Sequence, residues 1–377
     1  MVELRPLGVR CNIQCQYCYQ NPQRDAGNYA DDYDLEQMKA AIALEGGPFA
    51  LFGGEPLLVP IKDLEQLWAW GLARFGHNAL QTNGTLITED HVRMFKQYNV
   101  SVGISVDGPG ELNDVRWHGT IEKTRESTEK AEQAISRLCQ EGRPPSLIVT
   151  LHRVNASPQR LPQLYTWMSE LEAMGIRSVR LHLLESENEV VRTKYALSIR
   201  ENIAVLLGLL ELQRSLPLLT FDLFTEMRLM LKGEDQNTSC VWNACDPYTT
   251  EAVRGVEGHG QRSNCGRTNK DGIDFGKGNV PGFERYIALY QTPQQYGGCS
   301  GCRFFLMCKG HCPGTAIDGD WRNRTEHCEV WKAIYTRLEA DLLAEGQGTL
   351  SLSSQREYLE RALIDSWSQG RTGVLPR

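Results

Sequence analysis

The distribution of cysteines constrains this chain more than any other feature of its sequence. Eleven of the 12 cysteines fall into two groups, one within the first 20 residues and one between positions 240 and 328. A disulfide-stabilised secreted protein is normally short and begins with an export signal, and this 377-residue sequence shows neither property. Metal binding by thiolates is therefore favoured. Cys139 stands apart in a helical pattern, and we expect it to be a buried small apolar residue.

The composition and net charge limit the kinds of partner that the chain is expected to bind. The chain is 41% hydrophobic and 23% charged, with a net charge of -7, so it has no global basic field to hold a nucleic-acid backbone. No apolar run reaches the roughly 18 residues that a membrane span needs. We expect a cytoplasmic protein that binds neither nucleic acid nor membrane.

Between the two cysteine groups, short strand-like apolar runs alternate with amphipathic helical patterns. Strands are expected at 3–9, 48–52, 78–81, 100–106, 145–151 and 176–183. Helices are expected at 35–44, 63–75, 88–98, 122–140, 161–174 and 198–213. Repeated strand–helix units predict an α/β fold, a partial (β/α)6 TIM-like barrel with a parallel sheet and a site at the carboxyl ends of its strands.

The pattern changes after about residue 235. The following stretch is rich in glycine and cysteine and has little periodicity, so we expect it to bury little apolar surface and to be held together by metal clusters. Helical patterns return at 328–345 and 355–366. The predicted domains are therefore a barrel at 1–235, a cysteine-rich domain at 236–330 and a C-terminal helical segment at 331–377.

The first cysteine group, Cys11, Cys15 and Cys18, forms a C-x3-C-x2-C run just after the first predicted strand. Three thiolates from one loop can hold three irons of a 4Fe-4S cube and leave the fourth iron open to a substrate or cofactor. A structural zinc site, the alternative, would need a fourth ligand, and the next histidine is His77. The run therefore favours an iron–sulfur cluster.

With Tyr17 before its last cysteine, this run resembles the signature of the radical S-adenosylmethionine (AdoMet) superfamily. Three more segments, each after a predicted strand, resemble loops that line the cofactor site in that superfamily: Gly53 to Pro56, Gln81 to Gly84 and Ser105 to Pro109. The resemblance covers about residues 7–185. It implies that AdoMet is bound by Gly53, Gly54, Glu55, Pro56, Gln81, Thr82, Asn83, Ser105 and Asp107.

The resemblance also implies the chemistry. The open iron would chelate the methionine part of AdoMet, Glu55 would pair with its ammonium group, and a Gly-Gly pair would let the backbone approach the ligand. One electron from the cluster would then cleave AdoMet to methionine and a 5′-deoxyadenosyl radical.

The second cysteine group is similar to the SPASM domain of peptide- and protein-modifying radical enzymes. It contains Cys245, Gly260 and Cys265, then a C-x2-C-x5-C-x3-C run from Cys299, and finally Cys328. The arrangement in that family implies two auxiliary 4Fe-4S cubes, and therefore three clusters in all. One would be held by Cys240, Cys245, Cys265 and Cys312, and the other by Cys299, Cys302, Cys308 and Cys328. Zinc is the alternative metal; full ligation would suit electron relay or structural support.

The anaerobic sulfatase-maturating enzymes resemble this chain at residues 81–87 and 103–109 as well as in the cysteines. Those enzymes carry an aspartate, the proposed base, directly after the cysteine that corresponds to Cys265, where this chain has Gly266. The difference argues against formylglycine formation. Asp246, Asp271 or a tyrosine are substitutes to consider, and the catalytic residue stays unassigned.

Several polar residues are candidates for a substrate cavity. Arg180 and His182 share one face of the sixth predicted strand, which would point either into the barrel or to solvent. Further candidates are His152, Arg153 and Glu185. A last set of basic residues would meet an acidic peptide or form a solvated surface: Arg254, Arg262, Arg267 and Lys270.

Together these features predict a radical AdoMet maturase that abstracts a hydrogen atom from a ribosomally synthesised peptide, with an oxidative cross-link or a dehydrogenation as the favoured product. The alternatives are backbone excision or epimerisation of a peptide, a dehydrogenase or mutase for a small metabolite, and a metal-stabilised binding protein without turnover. The expected partners are a precursor peptide, a flavodoxin- or ferredoxin-type reductant and, because Cys11 comes so early, a separate leader-binding protein.

Overall fold

A computed structural model describes residues 1–27, 29–186, 188–242, 244–245, 254–267 and 282–371. The chain divides into two compact units that interleave along the sequence. The first unit comprises Met1–Ser198, Gly208–Phe221 and Arg254–Phe275; the second comprises Ile199–Leu207, Asp222–Val253 and Gly276–Arg377. The predicted domain boundaries at 235 and 330 stay predictions.

The first unit is built on one sheet, whose strands are β1 (Val2–Arg5), β2 (Phe49–Leu51), β3 (Asn78–Thr82), β4 (Val100–Ser105), β5 (Ser146–Leu151), β6 (Ser178–Leu183), β7 (Thr220–Phe221), β8 (Arg254–Glu257) and β9 (Arg262–Ser263). The sheet order is β7-β6-β5-β4-β3-β2-β1-β8-β9. Strands β1 to β7 pair in parallel with their sequence neighbours, as in β5 and β6, where Leu147 lies opposite Val179 and Leu151 opposite Leu183. The predicted α/β fold with a parallel sheet is confirmed.

Helices connect successive strands of this sheet. They are α1 (Asn21–Asp25), α2 (Leu35–Glu45), α3 (Ile61–Phe75), α4 (Glu89–Gln97), α5 (Ile121–Gln140), α6 (Arg153–Ala156), α7 (Leu161–Met174), α8 (Glu189–Tyr195) and α9 (Ile199–Ser215), the last of which is divided between the two units. Their ends follow local chemistry, since the Thr120 hydroxyl caps α5 and Gly175 ends α7 in the left-handed conformation. Cys139 on α5 is only partly buried, whereas the sequence predicts a buried residue there.

The sheet extends beyond the six predicted strands. Residues 254–263, expected in the metal-held stretch, form β8, which pairs in parallel with β1, and β9, which runs antiparallel to β8. The buried Arg5 of β1 forms an ion pair with Glu257 at 2.6 Å and donates a hydrogen bond to the carbonyl of Asn264 at 2.8 Å. A strand that contains glycine and only four residues gives no periodic signal, which is why the sequence does not reveal it.

The described part of the second unit is mainly helical. Its helices are α10 (Asp222–Lys232), α11 (Glu284–Gln291), α12 (Phe305–Cys308), α13 (Cys328–Ala344) and α14 (Arg356–Ser368). Helix α10 packs against α12 and α13, and α14 packs against α11 and α12. The helical segments predicted to start near residues 328 and 355 are present as α13 and α14.

The cysteine-rich stretch has an apolar core, contrary to expectation. Its fully or almost fully buried side chains include Phe283, Tyr286, Leu289, Phe304, Phe305, Leu306 and Met307. Aromatic packing therefore contributes to holding it together, because each such ring removes a large apolar area from water. None of the helices in the described part of the chain combines the length and the apolar character that a bilayer span needs.

Candidate cofactor site

The first cysteine group lies in the loop that follows β1. Cys15 is buried, whereas Cys11 and Cys18 are partly buried. Burial raises the pKa of Cys15 to about 12; the Arg116 guanidinium opposes this rise, and the nearby Cys18 and Cys11 add to it. Three thiols that interact in this way need strong positive charge nearby to be ionised together, as iron would supply.

The three thiols of the loop can be considered as ligands of a single ion or of a cube. Among the described residues, no three His, Cys, Asp or Glu side chains converge as a single bound ion would require. A 4Fe-4S cube gives each thiolate its own iron, so its ligands do not have to meet at one point.

Gly53 and Gly54 hold the chain that leads into Cys11. A Cβ on Gly54 would lie 2.0 Å from the Arg10 carbonyl oxygen, and one on Gly53, whose φ is +122°, would lie 2.5 Å from the Gly8 oxygen. The Gly54 N–H donates to that Gly8 oxygen at 3.0 Å. The glycines thus permit a close approach of two backbone segments, whereas the sequence predicts an approach to a ligand.

Glu55 is a buried acceptor at the end of β2. Its Oε1 accepts hydrogen bonds from the Leu57 N–H at 3.0 Å and the Thr82 hydroxyl at 2.7 Å, and its Oε2 accepts from the Asn83 N–H at 2.8 Å. Burial raises the pKa of Glu55, and these donors oppose the rise. A carboxylate offers about four acceptor positions, so roughly one is left for a further donor such as an ammonium group. Pro56 is buried and begins a short 3-10 helix (Pro56–Leu58).

The loop after β3 joins Glu55 to the cysteine loop. The Asn83 side-chain amide donates to Asn12 Oδ1 at 2.8 Å, and the Asn12 amide donates to the Thr85 hydroxyl at 2.8 Å. Gln81 Nε2 donates to the Ser105 hydroxyl at 2.8 Å. The structure therefore brings together the loops after β1, β2 and β3 and connects β3 with β4.

Asp107, in the loop after β4, forms its hydrogen bonds with other groups of the same chain. Its wholly buried carboxylate accepts hydrogen bonds from the Tyr17 hydroxyl and from the Thr150 N–H at 2.9 Å, and it lies 3.3 Å from Nε2 of the buried His152. Burial alone would raise the pKa of Asp107, but His152, Arg116 and Tyr17 lower it. Asp107 is thus placed to orient Tyr17, and direct contact with a cofactor stays a prediction.

Sequence reasoning missed Arg116 and the segment around it. The Gln14 N–H donates to the Trp117 carbonyl at 2.7 Å and the Gln16 N–H to the Val115 carbonyl at 2.9 Å, so this segment binds the cysteine loop on both sides of Cys15. Arg116 Nη1 donates to the Tyr17 hydroxyl at 2.9 Å. The segment follows the Ser105 to Pro109 motif and has no periodicity of its own, so no pattern indicated it.

A second polar cluster lies at the end of β6. Arg267 binds His182 Nδ1 at 2.8 Å and forms an ion pair with Glu185 at 3.2 Å. The charge of Arg267 also acts on Tyr19. Burial raises the pKa of Tyr19, Glu3, Cys265 and Cys18 add to the rise, and Arg267 opposes it. The cluster thus joins two of the predicted cavity candidates, His182 and Glu185.

Gly266 directly follows Cys265, at the position where the resemblance to the sulfatase-maturating enzymes implies an aspartate. A Cβ there would lie 3.0 Å from the Tyr19 ring, so a carboxylate side chain would require that ring to shift. Asp246, Asp271 and Lys270 lie outside the described residues.

Two of the other basic candidates form ion pairs. Arg254 and Arg262 both pair with Glu45, at 3.5 and 2.5 Å. Arg153 is exposed and donates to the Ala196 carbonyl, and Arg180 is partly buried on β6. The Arg262 side chain is exposed, whereas that of Arg254 is only partly exposed, and the two interpretations of these residues stay open.

In the second unit, four cysteines line one cavity. They are Cys299, Cys302, Cys308 and Cys328, and the walls between them are aromatic, with Phe304, Phe305, Trp331 and Tyr335. The space among these side chains, including its opening to solvent, is about 330 Å³. Burial raises the pKa of Cys299 to about 12, with Cys328 and Cys302 adding to the rise and Arg285 and Arg324 opposing it. Four thiols in one cavity are a suitable ligand set for a fully coordinated cluster.

The remaining cysteines are divided between the units. Cys240, Cys245 and Cys312 belong to the second unit and Cys265 to the first. Their assignment to one further cube stays a prediction.

Comparison with known proteins supports the resemblance inferred from the motifs. The sequence profile of the radical SAM superfamily matches residues 6–160. A serine-type anaerobic sulfatase-maturating enzyme from Klebsiella aerogenes is 30% identical over 207 residues, which are 52% of this chain and 49% of that enzyme. An Fe-coproporphyrin III synthase from Methanosarcina barkeri is 37% identical over 110 residues, 28% of this chain and 27% of the synthase. The chain therefore spans about half or less of the length of these relatives.

Solved structures show the same fold over most of the chain. Native anSMEcpe with bound AdoMet and the Cp18Cys peptide has a TM-score of 0.68 at 18% identity and covers 91% of this chain and 97% of its own. SuiB from Streptococcus suis, bound to its precursor peptide SuiA, has a TM-score of 0.57 at 15% identity and covers 87% and 75%. At these identities the likeness establishes the fold only. Residues 6–160 are thus similar in sequence to the radical SAM superfamily, and the shared fold extends over most of the chain.

Proposed function

We propose that this protein is a maturase that uses AdoMet and a 4Fe-4S cluster to abstract a hydrogen atom from a ribosomally synthesised peptide. Radical SAM enzymes use this cluster and AdoMet, and when bound the pair supplies a 5′-deoxyadenosyl radical. The observation that carries the proposal is the presence of two separate thiol sets in one chain, the three-cysteine loop of the first unit and the four-cysteine cavity of the second.

The residues of the first unit would bind and orient the cofactor. Cys11, Cys15 and Cys18 would hold three irons, and Glu55 would receive the ammonium group of AdoMet in its remaining acceptor position. Gly53 and Gly54 would fix the cysteine loop, and Thr82 and Asn83 would fix the Glu55 carboxylate. Gln81, Ser105 and Asp107 would complete the site, the last by holding Tyr17.

The second unit would carry electrons away from the substrate. Hydrogen abstraction leaves a substrate radical, and an oxidative cross-link or a dehydrogenation requires that radical to lose one more electron and a proton. Cys299, Cys302, Cys308 and Cys328 would hold a cluster without an open iron, which suits an electron acceptor. Cys240, Cys245, Cys265 and Cys312 would hold the other auxiliary cluster. A flavodoxin- or ferredoxin-type protein would supply the electron that starts each turnover.

The substrate is proposed to be a peptide. The two structural neighbours were solved with peptides bound, the Cp18Cys peptide and the precursor SuiA. The cluster of Arg267, His182 and Glu185 at the end of β6 offers both donors and acceptors for a peptide backbone. A separate leader-binding protein would present the precursor.

A small-molecule substrate is the second candidate. It is supported by the match of 110 residues of this chain to an Fe-coproporphyrin III synthase, a protein whose name refers to a small molecule. The chemistry of hydrogen abstraction would be the same.

The test is anaerobic incubation of the reconstituted protein with AdoMet, a reductant and candidate precursor peptides. We expect 5′-deoxyadenosine together with a peptide that has lost a pair of hydrogen atoms, measured by mass spectrometry. Cys139→Ala, outside both thiol sets, is the matched control and should behave as the wild type. Absence of iron from anaerobically purified protein would contradict the whole proposal, whereas AdoMet cleavage without any modified peptide would favour the small-molecule candidate.

A further inference from the structure

Residues 115–117 bind the first cysteine loop and carry a cation, Arg116. The carbonyl groups of Trp117 and Val115 accept hydrogen bonds from the N–H groups on either side of Cys15, those of Gln14 and Gln16. Arg116 lies between those two carbonyls, and its backbone N–H is itself fixed by the Asn113 carbonyl at 2.9 Å. These hydrogen bonds thus hold the backbone of Arg116 against the backbone of the loop at Cys15.

The guanidinium is held by a chain of hydrogen bonds that ends on a buried carboxylate. Arg116 donates to the Tyr17 hydroxyl at 2.9 Å, and Tyr17 donates to Asp107. Asp107 is wholly buried and is fixed in turn by Thr150 and His152. Such a chain restricts the rotamers of Arg116, so its charge stays in one place.

The charge of Arg116 lies beside the first cysteine loop. Its guanidinium lies 2.9 Å from the hydroxyl of Tyr17, a residue between Cys15 and Cys18 in the sequence, and the carbonyls on either side of Arg116 bind the N–H groups on either side of Cys15. A second cation, Arg24, also binds the cysteine loop, since it donates to the Ile13 carbonyl at 3.2 Å and to Asn21. A positive charge next to a thiolate ligand stabilises the reduced cluster more than the oxidised cluster, because reduction adds a negative charge.

We propose that Arg116, held by Tyr17 and Asp107, is a positioning residue that raises the reduction potential of the cluster bound by Cys11, Cys15 and Cys18. This inference rests on the proposed function, since it requires a cluster at that loop. It adds a role for a residue outside the cysteine run and outside the predicted cofactor contacts.

The test is a redox titration of the reconstituted protein followed by electron paramagnetic resonance. The signal that changes on adding AdoMet reports the cluster of the first loop. In Arg116→Gln, we expect the ratio of reduced to oxidised cluster at a fixed potential to fall at least about tenfold, which is ~59 mV for a one-electron couple. Arg116→Lys keeps the charge and should fall less.

Arg125→Gln is the matched control, because Arg125 pairs with Asp114 nearby in the sequence and is partly exposed. Its titration should equal that of the wild type. A normally loaded Arg116→Gln variant with an unchanged potential would overturn the inference, as would a Lys variant that falls as far as the Gln variant.

If Arg116→Gln does not retain iron, Tyr17→Phe decides the question. That variant keeps every charge and removes only the hydroxyl that holds the guanidinium, so the potential should fall; an unchanged value would refute the inference. Failure of the wild-type protein to bind iron would instead refute the proposed function, and the two failures are thereby distinguished.

Discussion

The cysteine loop of the first unit and the cysteine cavity of the second unit hold their thiols in different ways. The loop is fixed by hydrogen bonds to neighbouring loops, through Asn12, Gln14 and Gln16. The cavity has aromatic walls and receives its four cysteines from a longer stretch of chain, residues 299–328. The proposed cluster with an open iron would thus lie among polar groups able to bind a ligand, whereas the proposed fully ligated cluster would be surrounded by aromatic rings.

The largest effect should separate the two thiol sets. Cys15→Ala removes a proposed ligand of the cluster with the open iron and should abolish 5′-deoxyadenosine formation. Cys302→Ala should leave some AdoMet cleavage but no modified peptide, because only the proposed electron acceptor is damaged. Both quantities are measured in one anaerobic assay by chromatography and mass spectrometry. Complete loss of AdoMet cleavage in both variants would contradict the different roles proposed for the two thiol sets.

The next effect concerns AdoMet affinity. Glu55→Gln removes a buried negative charge but keeps the shape, and hydrogen bonds to charged groups contribute about 1.5–3 kcal/mol. We expect AdoMet to bind roughly tenfold to a hundredfold more weakly, as measured by anaerobic calorimetry. Glu36→Gln, on the exposed side of α2, should bind normally. Equal affinity for wild type and Glu55→Gln would exclude an ammonium contact.

A smaller effect is expected on stability. Gly54→Ala forces a Cβ against the Arg10 carbonyl oxygen, and such overpacking costs about 1–3 kcal/mol. Gly47→Ala, where the nearest atom is 4.0 Å away, should change stability by no more than about 0.5 kcal/mol. Denaturant unfolding measures both. If the two variants had the same free energy of unfolding, the close contact of Gly53 and Gly54 with the cysteine loop would contribute nothing to stability.

The smallest effect is a pH dependence of the apo protein. The pKa of Asp107 is lowered in the folded state, so its contribution to stability is fully present above the usual aspartate pKa of about 4 and is lost as the pH falls through the lower folded-state value. Asp107→Asn should therefore be less stable than the wild type at neutral pH, and this difference should shrink in acid. A difference in unfolding free energy that is independent of pH would contradict the assignment.

Periodicity predicted the regular elements well. Strands β1 to β6 and the long helices between them lie within a few residues of the expected positions, because each buries one apolar face or alternates in burial, as Val179, Leu181 and Leu183 do on β6. The same reasoning missed β7, β8 and β9, which have two to four residues each and depend on pairing with strands far away in sequence.

Short motifs indicated loops that the structure brings together, but not how these loops are connected. Glu55 and Asn83 were indicated by their neighbours in sequence, whereas the contacts of Arg116 with Tyr17, and of Arg267 with His182, join residues about 100 and 85 positions apart. Such pairs depend on the tertiary fold. The apolar core of residues 282–307 was missed for a related reason, since its aromatic side chains do not recur with a helical period.

The return of the chain to β1 has a practical consequence. A truncated protein ending at residue 235 would lack β8, so one side of β1 would offer unpaired N–H and C=O groups to any other extended chain. It would also leave Arg5 without Glu257. Attempts to produce the AdoMet-binding half by itself should therefore give aggregates, and a soluble fragment will need residues 254–267 supplied in some form.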